Sequence, residues 1–198
     1  MSLLSLVIGY LLGSVSFSYL AGKLLKGIDI RQHGSGNAGA TNTMRVLGKG
    51  PGIAVLLLDM IKGMAAVWIG SLLSGGDSLF EVLAGVSVII GHNWPIFFGF
   101  RGGKGIATTV GVMATLAFLP TLYAGIIAVL TIVLTRYVSL GSLLFTALLP
   151  IFIWFMDLPN EFLVLSLLLF VFAWVKHRSN IVKLLNGKEN KLGAKKQA

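Results

Sequence analysis

The chain has 198 residues, 56% of them hydrophobic and only 12% charged, and its mean hydropathy is +0.88. A soluble domain carries roughly twice that share of charge, so a water-soluble globule, a disordered chain and an ordinary nucleic-acid-binding domain are excluded; an integral membrane protein is expected. Cysteine is absent, which removes disulfides, thiolate metal sites and cysteine nucleophiles, and the net charge of +9 must be located before any partner is inferred from it.

Apolar runs predict seven transmembrane helices, at 3–22, 52–73, 79–99, 106–118, 121–135, 138–156 and 160–175. At roughly 20 residues per span they fill the chain, so residues 1–198 read as a single, all-α, polytopic transmembrane domain. The first run lacks a basic leader and its positive residues follow it, which fits an anchor helix with its N-terminus outside rather than a cleaved signal peptide. The fourth and fifth runs are short and could be one span broken at Pro120. Orientation favours seven. With the N-terminus outside, Lys23, Lys26, Arg31, Arg45, Lys49, Arg101, Lys104, Arg136 and the seven basic residues from Lys176 onward all fall inside, which leaves only Lys62, within a span, of the 16 Lys and Arg. The outer loops carry Asp77, Glu81, Asp157 and Glu161 instead. This is the positive-inside pattern. The charge then faces anionic membrane lipid and calls for no nucleic acid.

Three inner segments are rich in glycine and hydrogen-bonding side chains. The first runs from Gly34 through Ser35, Gly36, Asn37, Gly39, Thr41 and Asn42 to Arg45. Its glycines allow close backbone approach, so successive N–H groups can converge on an anion. Thr41 or Asn42 could cap a helix whose start also favours an anion, and Arg45 offers a planar fork for phosphate.

The second inner segment is Gly91-His92-Asn93-Trp94-Pro95, followed by Arg101-Gly102-Gly103-Lys104-Gly105-Ile106-Ala107-Thr108. It suggests phosphate cradling, yet it is no Walker A motif, because Gly105 follows the lysine where Ser or Thr should hold magnesium. The third holds His177, Asn180 and Glu189. His177 and Asn180 are three apart and would share a face on one helix.

Between these segments, Asp59 and Lys62 lie inside the second span, three residues apart, and are expected to neutralise each other. Arg136, Ser139 and Ser142, at the inner start of the sixth span, could line the same site. No His is followed by Asp at the fifth position, which removes the HxxxxD pair of acyl-CoA-dependent glycerolipid acyltransferases, and there is no GxSxG elbow. Carboxylates on the inner side are few, so no metal site and no cofactor is expected.

The three segments together resemble the signature motifs of the bacterial acyl-phosphate:glycerol-3-phosphate acyltransferase family. The first is similar over Ser35-Gly36-Asn37-x-Gly39-x-Thr41-Asn42-x-x-Arg45. The second is similar over Gly91-His92-x-x-Pro95 and Gly102-Gly103-Lys104-Gly105-x-Ala107-Thr108. The third is similar over His177-Arg178-x-Asn180-Ile181 and Gly187-x-Glu189, with Lys183 where arginine is common.

The resemblance implies a single transmembrane acyltransferase domain in the cell (inner) membrane with its site facing the cytoplasm. It implies transfer of a fatty acyl group from acyl phosphate to the sn-1 hydroxyl of glycerol 3-phosphate, giving lysophosphatidic acid and phosphate for phospholipid synthesis. Neither acyl-CoA nor acyl carrier protein would be the direct donor. On this reading Ser35, Arg45, Lys104, His177 and Asn180 are the catalytic candidates. Gly36, Asn37, Thr41, Asn42, Gly102, Gly103, Gly105 and Ser142 bind substrate, while His92 and Glu189 brace the loops. The competing expectation is a phosphate or organic-anion carrier, disfavoured because seven spans show no inverted halves.

Overall fold

A computed structural model describes residues 2–193 of the chain; Lys195 and Lys196, counted above with the inner charges, lie outside the described residues. Regular structure among the described residues is helical, and the chain divides into two compact units at Leu116 and Ala117.

The first unit contains α1 (Ser2–Ser14), α2 (Phe17–Lys26), α3 (Ala40–Leu47), α4 (Lys49–Ser74), α5 (Ser78–Asn93) and α6 (Ile106–Leu116). The first expected span is therefore two helices, broken at Val15 and Ser16. Ser16 has left the helical region (φ −93°, ψ 92°) and caps α2 by accepting from the Tyr19 amide at 3.4 Å. A break inside a span strands backbone carbonyls, which cost several kcal/mol in lipid if unpaired. Lys62 of α4 supplies the missing donors. Its Nζ donates to the carbonyls of Gly13 and Val15 at 3.0 and 2.9 Å while pairing with Asp59 Oδ1 at 2.8 Å. The expected Asp59–Lys62 pair thus also holds the broken helix.

Helices in this unit pack through glycine. A Cβ at Gly13 would fall on the Val88 carbonyl, one at Gly91 on the Tyr10 carbonyl, and one at Gly111 on the Met60 carbonyl. These contacts seat α1 against α5 and α6 against α4. Without a hydrophobic driving force between helices in lipid, such close backbone approach supplies the packing energy.

The second unit contains α7 (Phe118–Thr135), α8 (Val138–Phe155), α9 (Asn160–Lys176) and α10 (Arg178–Leu185). Pro120 lies in the first turn of α7, where its missing N–H costs nothing, so it opens a helix rather than breaking one; the interruption is at Ala117 (φ −142°, ψ 72°). The last two helices meet at His177 with a bend of 63°. Arg136 ends α7 in the left-handed region (φ 64°). Its guanidinium donates twice to the Leu192 carbonyl, at 3.1 and 2.8 Å, and the Leu192 amide donates back to the Arg136 carbonyl at 2.7 Å.

Among the described residues five helical stretches are long and apolar enough to cross a membrane, or six if the bent α9–α10 pair is one span. The expected fourth span falls on α6, whose 11 residues reach only about 16 Å against a hydrocarbon core of about 30 Å. The glycine loop before it and the break at Ala117 after it cut the apolar run short.

Replacing Lys62 by Met should strand the Asp59 carboxylate and two carbonyls, destabilising the detergent-solubilised protein by about 3–5 kcal/mol. Thermal unfolding should show a large fall for Lys62→Met, and a partial recovery when Asp59→Asn is added. Unchanged unfolding of Lys62→Met would contradict the role given to this side chain.

Candidate active site

The loop between α2 and α3 is shaped by its own side chains. Asp29 caps a single 3₁₀ turn, Ile30–Gln32, by accepting from the Arg31 amide at 3.0 Å. Asn42, buried at 1% exposure, clips the rest. Its Oδ1 accepts from the Ser35 amide at 2.8 Å, and its Nδ2 donates to the carbonyls of Ile30 and His33 at 3.2 and 3.0 Å. Gly34 passes so close, at φ 63°, that a Cβ there would land on Asn42 Oδ1.

The expectation that Thr41 or Asn42 caps the following helix is corrected: α3 starts at Ala40 with Gly39 in the cap position, and both side chains sit inside its first turn. Asn42 is drawn inward because the loop, not the helix end, consumes its amide. Next to it, Thr43 shares a 2.7 Å hydrogen bond with Ser18 of α2 and donates to the Gly39 carbonyl at 3.1 Å. This anchoring leaves Ser35 and Arg45 exposed, with Asn37 and Thr41 half-buried between them and Gly36 at the loop's surface.

The second loop lies on the end of α5. His92 and Asn93 are buried there, and the Gly103 amide donates to the His92 carbonyl at 3.1 Å. A Cβ at Gly102 would fall on that same carbonyl. One at Gly103 would fall on His92 Nε2 and stand 2.8 Å from the Ala38 carbonyl, and one at Gly105 would stand 3.0 Å from Asn93 Oδ1. Each glycine is therefore required by space, and the Ala38 contact brings the first two motifs together. On its far side the His92 ring has Nδ1 3.5 Å from Asp59 Oδ1. Lys104 is half-buried within the loop. Directly after it, α6 begins at Ile106 with first-turn amides that have no partner inside the helix. Backbone donors and a lysine make a loop suited to a phosphate or to an oxyanion developing beside one.

The remaining candidates lie in the second unit. Glu189 Oε1 accepts from Asn180 Nδ2 at 2.8 Å and from Ser139 Oγ at 3.1 Å, tying the tail to α10 and to the start of α8. His177 is buried at 3% exposure, with Nδ1 2.8 Å from the Ala173 carbonyl. A donor at Nδ1 makes Nε2 the acceptor nitrogen of the neutral ring. His177 occupies the bend between α9 and α10, as the N-cap of α10, and Asn180 lies in the first turn of α10 with its amide donating to the His177 carbonyl at 2.8 Å. Ser142 spends its hydroxyl on the Val138 carbonyl at 2.9 Å. Asn93, the floor under Gly105, was not singled out by sequence; its only signal is its place beside His92 at a helix end. No group of three or more His, Asp or Glu side chains among the described residues could hold a metal ion.

Residues 3–187 match the family model described as glycerol-3-phosphate acyltransferase. The chain is 57% identical to the glycerol-3-phosphate acyltransferase of Shouchella clausii (strain KSM-K16), with 96% of each chain covered. It is 56% identical to that of Halalkalibacterium halodurans, over 97% of this chain and 96% of the other. It also superposes on a crystal structure of PlsY (YgiH), an integral membrane glycerol 3-phosphate acyltransferase, in its glycerol 3-phosphate form. There the TM-score is 0.92 and the identity 37%, covering 97% of this chain and 96% of that one. The lysophosphatidic acid form of the same protein gives 0.89 at 36% identity. A match this long, carried by motifs that each meet a steric or hydrogen-bonding demand of their loop, means that the chain belongs to the glycerol-3-phosphate acyltransferase family.

Proposed function

We propose that the chain acylates the sn-1 hydroxyl of glycerol 3-phosphate, with acyl phosphate as donor, to give lysophosphatidic acid and inorganic phosphate. The observation that carries this reading is the likeness, over 97% of the chain, to a protein crystallised in glycerol 3-phosphate and lysophosphatidic acid forms. The hydroxyl oxygen attacks the acyl carbonyl carbon, the bond from that carbon to the phosphate oxygen breaks, and the hydroxyl proton ends on the departing phosphate. Two phosphates must come together, carrying up to about −4 in total. Lys104, Arg45 and the backbone donors of the Gly102–Gly105 loop, apart from the Gly103 amide that the His92 carbonyl holds, oppose that repulsion and stabilise the oxyanion of the attacked carbonyl. Ser35, His177 and Asn180 orient glycerol 3-phosphate. Gly36, Asn37, Thr41 and Ser142 shape its surroundings. Asn42, His92 and Glu189 act from behind by fixing the loops. The carrier alternative has no observation in its favour.

The topology belongs to the same proposal. Seven crossings, with α6 as the short fourth, put the N-terminus outside and the phosphate loops at the cytoplasmic surface of the cell membrane, as a single domain over residues 1–198. What supports it is the charge: every Lys and Arg except Lys62 then lies on the inner side.

Purified protein given acyl phosphate and glycerol 3-phosphate should form lysophosphatidic acid, and the same protein given acyl-CoA or acyl carrier protein should form none. Product from acyl-CoA alone would overturn the donor assignment. Arg45→Lys keeps the charge but loses the two-pronged geometry, so kcat/KM for glycerol 3-phosphate should fall at least tenfold, about 1.4 kcal/mol; a near-normal value in a folded variant would remove Arg45 from the site. Single cysteines at Ser78 and Asn160 should label from outside intact cells, whereas those at Ser35 and Asn186 should not. External labelling of Asn186→Cys would break the seven-crossing topology.

A further inference from the structure

A second cationic feature lies outside the motifs. Tyr19 of α2, Arg31 of the 3₁₀ turn and Phe97, Phe98, Gly99 and Arg101 after α5 line an open cavity of about 460 Å³. All of it belongs to the first unit. It sits where two candidate spans, Ser2–Lys26 and Ser78–Phe98, reach their ends, so it lies at the level of lipid headgroups.

Arg31 is fixed from three sides. Its Nε and one terminal nitrogen hold Asp29 at 3.0 and 2.8 Å, its other terminal nitrogen donates to the Phe98 carbonyl at 2.6 Å, and its guanidinium lies 5.0 Å from the centre of the Tyr19 ring. The guanidinium hydrogen bond holds the Asp29 carboxyl below its usual range, so the pair stays ionised at neutral pH. Tyr19 in turn packs on Phe98 at 4.7 Å between ring centres, and Lys23 stands 6.0 Å from the Tyr19 ring. Arg101 is different. Its side chain is exposed and makes no hydrogen bond or ion pair with any other described residue. Since Asp29 offsets Arg31, Arg101 leaves the cavity lining with a net positive charge, and Lys23 adds another beside Tyr19. The rim is apolar: Phe97 is 60% exposed, Phe100 57% and Ile96 49%.

We infer that this cavity is a binding site for the headgroup of an anionic glycerophospholipid of the surrounding bilayer, with Arg101 as the mobile cation and Arg31 as the fixed one. A water-soluble phosphate would take the charge but leave the aromatic rim facing nothing of its own kind. A lipid supplies both, placing its phosphate against the two guanidiniums and its chains along Phe97, Phe100 and Ile96. Basic pockets between membrane helices bind anionic headgroups for the same electrostatic reason. The bidentate geometry of arginine suits a phosphate oxygen pair. Gly99 and Arg101 run directly into Gly102, so a lipid held here also steadies the start of the phosphate loop.

The full-length protein in nanodiscs of phosphatidylcholine with a minor share of phosphatidylglycerol provides the test, read as the phosphatidylglycerol retained after detergent extraction by native mass spectrometry. The wild type should retain phosphatidylglycerol in preference to phosphatidylcholine. Arg101→Gln, which breaks no internal bond, should lower that preference about fivefold, and Arg101→Lys should keep most of it. Lys49→Gln, an exposed charge elsewhere on the same unit, should change nothing. Retention unaltered in Arg101→Gln would overturn the site, and so would an equal loss in Lys49→Gln, which would mean diffuse surface charge. Displacement of phosphatidylglycerol from the wild type by inorganic phosphate or glycerol 3-phosphate would assign the cavity to a soluble anion and overturn the lipid. None of these readouts needs turnover, so the inference can fail while the acyltransferase reading stands.

Discussion

Inside a bilayer no water is available to satisfy a polar group, and in this chain that constraint concentrates on one ammonium. Lys62 gathers the carbonyls of Gly13 and Val15 and the carboxylate of Asp59. The same carboxylate lies 3.5 Å from His92, and His92 carries the Gly103 amide on its carbonyl. A break in the first helix, a buried ion pair and the Gly102–Gly105 loop are thus steps of one polar chain. Each group in it is costly alone, because removing one partner leaves the next as a bare charge or an orphaned carbonyl. The polar chain therefore couples the geometry of the Gly102–Gly105 loop to the packing of α1, α4 and α5.

The glycines serve two different ends. At Gly13, Gly91 and Gly111 the missing side chain lets helix backbones meet, and that contact substitutes for the hydrophobic effect which lipid does not provide. At Gly102, Gly103 and Gly105 it lets the loop lie flat on His92 and Asn93, close enough for the Gly103 amide to donate to the His92 carbonyl. Seating this loop on a helix end, rather than holding it with long side chains, limits the side-chain entropy lost in ordering it.

Much of this was legible beforehand where the signal was local. The expected spans 52–73, 138–156 and 160–175 lie within a few residues of α4, α8 and α9, because each is an uninterrupted apolar run with polar ends. The glycine-rich segments announced loops for the same reason. What was not legible depended on partners far along the chain. The sequence around Val15 and Ser16 has no proline to mark a break; the break is tolerated only because Lys62, 47 residues on, supplies donors. Asn42 was read as a cap candidate because asparagine favours caps, but three backbone groups of its own loop claimed it first. His177 and Asn180 were placed on one helix by spacing alone, and spacing carries no information about a 63° bend.

Arg136 shows how such competition shapes what can be engineered. An arginine at φ 64° bears backbone strain of about 1–2 kcal/mol, and the usual remedy for a left-handed residue is glycine. Here the strained backbone is what turns the side chain back to the Leu192 carbonyl, and the clasp it closes lies next to Glu189, which holds Ser139 and Asn180. A glycine would relax the turn and release the clasp together. Stabilisation guided by backbone preference alone would loosen the segment that gathers those residues, so backbone ease and the fastening of the tail pull against each other at this position.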